Sequence, residues 1–124
     1  MSSGLSELPK PSHLALGVAD LAASIAFYRD VLGLAVGDLA PNAYVEWPGF
    51  LLVLDVAAPV NAEAFHFGFQ VSGDGDVHAW ADRLRERGAT IVAGPTPRPT
   101  LRTPGSVVAT IDPDGHKIEI YSGD

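Results

Sequence analysis

The chain contains no cysteine, which excludes a disulfide framework, a thiolate metal site and a cysteine nucleophile. Cations are also scarce: 8 Lys and Arg stand against 15 Asp and Glu, for a net charge of −7 at pH 7. That balance leaves no basic surface to neutralise phosphates, so nucleic acid is not an expected partner. The acidic excess keeps a protein soluble and would tolerate a cationic small molecule. Long hydrophobic runs are missing too. None approaches the roughly 20 residues that span a bilayer, and the opening MSSGLSELPKPS lacks the apolar stretch of a secretory signal. These absences lead to the expectation of a cytoplasmic protein, with no membrane partner and a flexible tail over residues 1–10. What remains suffices for one core. The chain has 124 residues, 47% of them hydrophobic, and a length of this order makes a single domain, expected here over residues 11–124.

An internal repeat organises that domain. At an offset of 53, the segment from His13 to Val18 (HLALGV) lies over the segment from His66 to Val71 (HFGFQV). Both alternate with period two, as strands do. Leu14, Leu16 and Val18 form one face, matched by Phe67, Phe69 and Val71. The opposite faces carry His13, Ala15 and Gly17, matched by His66, Gly68 and Gln70. A helix is expected over 21–32, with Asp20 as N-cap, Gly33 in the left-handed position after it, and Leu21, Ile25, Tyr28 and Leu32 as its apolar stripe. A second is expected over 76–87, stopped by Gly88, with Val77, Trp80, Ala81 and Leu84 facing the core. Three strands should follow each helix, near 35–38, 43–47 and 50–56, and near 90–93, 106–111 and 117–121. Pro48-Gly49 and Asp112-Pro113-Asp114-Gly115 are the matching turns, with Asp112 and Asp114 as turn-makers. Aligning Gly49 with Gly115 sets Val53 over Glu119 and widens the offset from 53 to 66. The extra residues fall in 94–105, a proline-rich stretch read as a loop, either a binding loop or lid or an ordinary solvated connection. The fold class is therefore α+β: two βαβββ modules, about 11–58 and 64–122, pairing so that their concave faces enclose a cavity.

Two stretches carry a family resemblance. One is HLALGVADL from His13 to Leu21, continued by FYRDVLG from Phe27 to Gly33. The other is DPDGHKIE from Asp112 to Glu119. They resemble the vicinal-oxygen-chelate superfamily, also called the glyoxalase/bleomycin-resistance/dioxygenase superfamily, over roughly residues 11–122. The nearest pattern is that of the fosfomycin-resistance thiol transferases. The resemblance implies a divalent metal held at the first-strand positions of the two modules, His13 and His66, and at the last-strand position, Glu119. A fourth position, glutamate in glyoxalase-I-like members, falls on Val53, which leaves three protein ligands. The threonine that the fosfomycin enzymes have two residues after the first histidine is Ala15 here, and their aromatic residue before the Asp-Pro turn is Ala109. Their lysine-rich anion-binding loop is replaced by 94–105, whose cations are Arg98 and Arg102. A homodimer is also implied, because modules in this superfamily often pair between chains, and His13 would then join His66 and Glu119 of a second copy.

The residue types fit that reading. Two neutral imidazoles and a carboxylate bind Fe, Mn, Ni, Co or Zn and leave coordination positions open. An open metal can take two neighbouring substrate oxygens as a Lewis acid. Ala15 and Gly68 beside the histidines leave room for ion and ligand. Gln70, Tyr121, Arg102 and Thr103 are second-tier candidates for binding substrate, for which plain cavity lining or solvated surface is the stronger expectation, and Trp47 is a candidate to line the pocket. Trp80 is expected in the core. His78 is expected to be an exposed helix residue and His116 a structural turn residue. The general acid or base has no candidate. The leading expectation is a metal-dependent isomerase, lyase or thiol or group transferase acting on a small oxygen-bearing substrate. The alternative is a metal-free protein that sequesters a small molecule or drug, as bleomycin-resistance proteins do.

Overall fold

Strand alternation places the core. In β1 (His13–Val18), Leu16 and Val18 are buried. In β3 (Asn42–Trp47) the buried pair is Ala43 and Val45, and in β4 (Phe50–Val56) it is Leu52 and Leu54. The short β2 (Gly37–Leu39) completes this sheet two residues later than the sequence pattern suggests. The second module holds β5 (His66–Gln70), β6 (Ile91–Arg98), β7 (Gly105–Ile111) and β8 (Lys117–Tyr121). The structure, a computed structural model, describes residues 9–60 and 64–124. The expected tail over 1–10 therefore lies outside the described residues except for Pro9 and Lys10.

Each module is a four-stranded mixed sheet, ordered β1-β4-β3-β2 and β5-β8-β7-β6. In both, the first strand runs parallel to the last and the remaining pairs are antiparallel. The registers bear out the repeat: Ala15 pairs with Val53 as Gly68 pairs with Glu119. One apolar cluster joins the modules, running from Leu16, Val18, Leu52 and Leu54 to Val77, Leu84, Val108, Ile118 and Ile120. Burial of each such side chain contributes about 1.5–3 kcal/mol.

The first helix spans the expected residues but changes type. Asp20 caps α1 (Leu21–Ala26), its carboxylate accepting the Ala23 N–H at 3.2 Å. The next turn, Phe27–Val31, is π-helical, closed by Leu32 N–H to Phe27 O at 3.2 Å. A wider turn brings successive side chains closer in angle, and Phe27 and Tyr28 are both buried in it. Gly33 at φ 75° ends it. Val31 O accepts from Arg83 Nε at 3.0 Å, and Asp30 O accepts from Arg87. Both arginines lie in or just after the second helix, so the second module satisfies carbonyls that end the first module's helix.

That second helix, α2 (Asp74–Glu86), starts two residues before the expected Asp76. Asp76 accepts the Gly73 N–H at 3.2 Å. Asp74 accepts from the Ser122 and Ser106 hydroxyls at 2.6 and 2.9 Å, and these bonds hold its carboxyl below the ordinary carboxylate range. The serines are far away in sequence, so local spacing gave no hint of this anchor. Gly88 at φ 76° stops the helix as expected. His78 is exposed on it, as read from sequence, whereas Trp80 is only half-buried, with Arg83 stacked 5.2 Å from its ring.

The proline-rich stretch corrects the sequence reading. A loop was expected over 94–105, yet β6 continues to Arg98 and the loop shrinks to 99–104. The strand survives Pro95 and Pro97 because it is the edge of its sheet, where a missing N–H need not break a ladder. Register shifts on either side of Ala93 take up the irregularity.

The turn between β7 and β8 is the other link between modules. Asp112 is buried; its Oδ2 accepts from Tyr28 Oη at 2.7 Å and pairs with His116 Nδ1 at 2.8 Å. Its Oδ1 accepts the N–H groups of Asp114 and His116 at 3.0 and 2.9 Å. Asp114 in turn accepts from Ala19 N–H at 3.1 Å and from the Ser24 hydroxyl at 3.4 Å. The turn-making roles of both aspartates and the structural role of His116 hold, and the two aspartates also tie the second module to the first module's helix. Burial, then the Asp112 charge, pushes the Tyr28 phenol far above its usual range, so it remains a donor.

Candidate functional site

The side of each sheet away from the helices is where the polar side chains collect. On β5 this face carries His66, Gly68 and Gln70; on β8 it carries Lys117, Glu119 and Tyr121. The equivalent face of the first sheet carries His13, Ala15 and Gly17 beside Leu51, Val53 and Asp55.

His66 is oriented by its own backbone neighbour. Its Nδ1 lies 3.1 Å from Ala64 O. A carbonyl only accepts, so Nδ1 bears the proton and the neutral ring keeps a lone pair on Nε2. That Nε2 sits 3.7 Å from Glu119 Oε1, and the other Glu119 oxygen lies 3.9 Å from Lys117 Nζ. The Glu119 side chain is 17% exposed and that of His66 47%, so the pair opens to solvent from a partly sheltered carboxylate. An imidazole lone pair beside a carboxylate is a donor set that suits a divalent first-row metal. His13, exposed on the other sheet, has its Nδ1 3.3 Å from Ser12 Oγ.

Of the three predicted ligands, one chain brings two together. Among the described residues, the one group of three such side chains with donor atoms within 4.8 Å of one another is Asp112, Asp114 and His116. His13 thus does not join His66 and Glu119 within the chain. By spacing alone the Asp112 group could hold an ion. Each of its four carboxylate oxygens, however, already accepts a hydrogen bond, and Asp112 is buried, so an ion would have to break the link between the modules.

Gly68 shapes the face around Glu119. A Cβ there would lie 2.9 Å from Tyr121 Cε1 and 3.2 Å from Glu119 O. The glycine lets the Tyr121 ring lean across β5, and Arg98 caps that ring at 4.3 Å from its centroid. Gly68→Val is expected to drive the ring off the strand and lower stability by about 1–3 kcal/mol through overpacking. A crystal structure of the variant, with urea unfolding beside it, checks this; an unmoved ring would contradict it.

The other candidates are placed as follows. Gln70 Nε2 donates to Gly123 O at 2.7 Å. Thr103 donates from both N and Oγ1 to Asp124 Oδ1, at 2.9 and 2.6 Å, and these bonds lower the Asp124 pKa. The Arg102 backbone N–H donates to Asp124 O at 2.7 Å, while its side chain is exposed. These residues fix the segment after β8 beside Tyr121. Trp47 lies on the core side of β3, 5.5 Å from the Phe69 ring and 6.4 Å from Phe50. It lines an apolar cavity of about 490 Å³ with Phe67, Phe69 and Trp80, on the side of β5 opposite His66. Sequence reasoning passed over Arg98 because it lay in a stretch read as loop, where no face can be assigned.

Comparison with known proteins places these observations. Residues 10–120 match the glyoxalase/bleomycin resistance protein/dioxygenase superfamily. A metallothiol transferase FosB of Staphylococcus haemolyticus is 30% identical over 118 residues, covering 90% of this chain and 82% of that protein. Glutathione transferase FosA of Serratia marcescens is 28% identical over 119 residues, covering 90% and 79%. Among solved structures, a glyoxalase/bleomycin resistance protein/dioxygenase from Alicyclobacillus acidocaldarius superposes with a TM-score of 0.74 at 21% identity, covering 92% of this chain and 91% of that one. Lactoylglutathione lyase from Agrobacterium tumefaciens gives a TM-score of 0.71 at 20% identity, covering 94% and 96%. These structures share the fold. No helix among the described residues is long and apolar enough to cross a membrane.

Proposed function

Because the chain belongs to the glyoxalase/bleomycin resistance protein/dioxygenase superfamily, we propose that it is a divalent-metal-dependent enzyme acting on a small oxygen-bearing substrate, with thiol or group transfer as the reaction its relatives' names favour. The observation that carries the reading is His66: its Nδ1 is committed to Ala64 O, and its Nε2 faces Glu119 across 3.7 Å. His66 and Glu119 hold the metal from one chain. His13 completes the set from a second copy, the two chains pairing so that the sheet faces bearing these residues enclose the site. Three protein ligands would leave positions open to substrate, and a divalent ion held there would supply Lewis acidity. Glu119 would bring the negative charge of the donor set, Ala15 and Gly68 keep the site roomy, and Lys117 lies 3.9 Å from the second Glu119 oxygen.

The test is the metal content of purified protein, loaded in turn with Mn, Fe(II), Ni, Co and Zn, then desalted and analysed by inductively coupled plasma mass spectrometry. About one ion per chain is expected. No retained ion of any kind would overturn the reading. A second reading, metal-free sequestration of a small molecule, is favoured by the cavity lined by Trp47, Phe67, Phe69 and Trp80, whose volume falls in the range of ligand pockets. It predicts stoichiometric ligand binding that neither chelator nor Glu119→Ala changes.

A further inference from the structure

His116 is a buried imidazole that the metal-enzyme reading does not use. Its side chain is 1% exposed. Its Nδ1 lies 2.8 Å from Asp112 Oδ2, which also accepts from Tyr28 Oη at 2.7 Å. A carboxylate only accepts, so Nδ1 bears the proton and the neutral ring keeps a lone pair on Nε2. Among the described residues, nothing hydrogen-bonds to that Nε2. Every fully enclosed side-chain nitrogen or oxygen among them has a partner, so Nε2 opens onto space instead of being packed against carbon.

That space is a cavity of about 290 Å³ at the free edge of β1, distinct from the one lined by Trp47 and Trp80. His116 lines it with Leu14, Leu16, Ala58, Val60 and Phe65. None of these is a proposed metal ligand. Gly17 shapes it as well: a Cβ there would lie 2.6 Å from Ala58 O, so the glycine lets the segment after β4 come down over the strand. The Phe65 ring stands edge-on to the imidazole, with centroids 6.3 Å apart. Apart from His116, the lining side chains are hydrocarbon. Water in a cavity needs roughly two to four polar partners, so these walls favour an apolar occupant, and Nε2 calls for a single donor. An apolar cavity of about 150 Å³ takes up benzene, so this one can hold a substituted ring.

We propose that this cavity binds a small phenol, its ring among Leu14, Leu16 and Phe65 and its O–H donating to His116 Nε2. The site is separate from the metal site and stands whether or not the chain holds an ion. A phenol meets both demands of the walls. Its ring is apolar and planar. Its O–H, with a pKa of about 10, donates strongly yet stays neutral at pH 7, so no charge has to be buried. Asp112 holds the imidazole from behind, fixing its orientation and tautomer and polarising it toward the ligand.

The experiment follows the His116 ring in full-length protein kept in chelator, which removes any ion that could take up a phenol through its oxygen. Phenol and toluene, alike in shape and different in the donor, are titrated separately while the imidazole nitrogen resonances are recorded by NMR. A saturable shift of the His116 Nε2 resonance is expected with phenol, with a dissociation constant on the order of millimolar. Toluene should bind about tenfold more weakly, for want of the hydrogen bond. His13, His66 and His78 are internal controls and should show no saturable shift. His116→Phe, followed by saturation transfer to the ligand, should bind phenol and toluene alike; if that variant does not fold, the wild-type comparison of the two ligands decides alone. No saturable shift at His116 with phenol, equal affinity of the wild type for phenol and toluene, or a shift at another histidine in its place would overturn the proposal.

Discussion

Replacing Glu119 with alanine is expected to lower metal affinity at least about 100-fold, the upper end of what even outer-sphere partners of metal ligands contribute. Glu119 supplies the only negative charge of the proposed donor set. Without it, an imidazole and the Lys117 ammonium would remain where the sheltered carboxylate now sits. The loss should be specific. Val53→Ala changes the matching strand position of the other sheet, where Val53 pairs with Ala15 as Glu119 pairs with Gly68, and it should leave metal content intact. Isothermal titration of chelator-stripped protein with Mn or Zn compares the three proteins. Equal affinity in wild type and Glu119→Ala would show that the ion, if any, is held elsewhere, and the Asp112 group would be the next place to look.

The largest stability effect is expected at Asp112, a residue with no part in the proposed chemistry. Asp112→Ala would strip partners from the Tyr28 hydroxyl, His116 Nδ1 and two backbone N–H groups at once, all in or against the core. Each buried donor left without its acceptor costs about 1–3 kcal/mol, and Asp112→Ala strands several at once. For a domain whose net stability is of order 5–15 kcal/mol, that is enough to leave part of the population unfolded at room temperature. Tyr28→Phe removes a single hydrogen bond and should cost about 1–2 kcal/mol. Urea unfolding at constant slope measures both. An Asp112→Ala loss no larger than that of Tyr28→Phe would mean that water fills the gap, and that the link between modules is not the structural tie described above.

Much of this architecture could be read in the chain itself because its signals are local. Alternation placed β1, β3, β4, β7 and β8 within a residue or two, and Gly33 and Gly88 ended helices where left-handed backbone was needed. Internal repetition fixed the equivalence of His13 with His66 and of Val53 with Glu119, which the strand registers reproduce. What escaped was non-local. The π-helical turn answers to the burial of Phe27 and Tyr28 together, against a turn more than 80 residues away in sequence. Asp74 starts α2 early because serines on β7 and just after β8 satisfy it. Pro95 and Pro97 read as loop signals, and only the position of β6 at a sheet edge makes them compatible with a strand. Arg98 could not be given a face without that strand. The position of His13 on a separate sheet from His66 and Glu119 was legible, but the distance between the sheets was not.

The central claim is that two chains share each metal site, and subunit mixing tests it directly. His13→Ala and Glu119→Ala proteins, each expected to lose its metal when alone, are mixed, allowed to exchange subunits, loaded with one ion per chain and desalted. In a two-fold dimer with shared sites, a mixed pair places both lesions in one site and leaves the other whole. With random exchange the mixture should regain about a quarter of wild-type metal. If the mixture retains no more metal than either variant alone while mass spectrometry shows that mixed dimers have formed, the site is not shared between chains and the account is wrong at its centre.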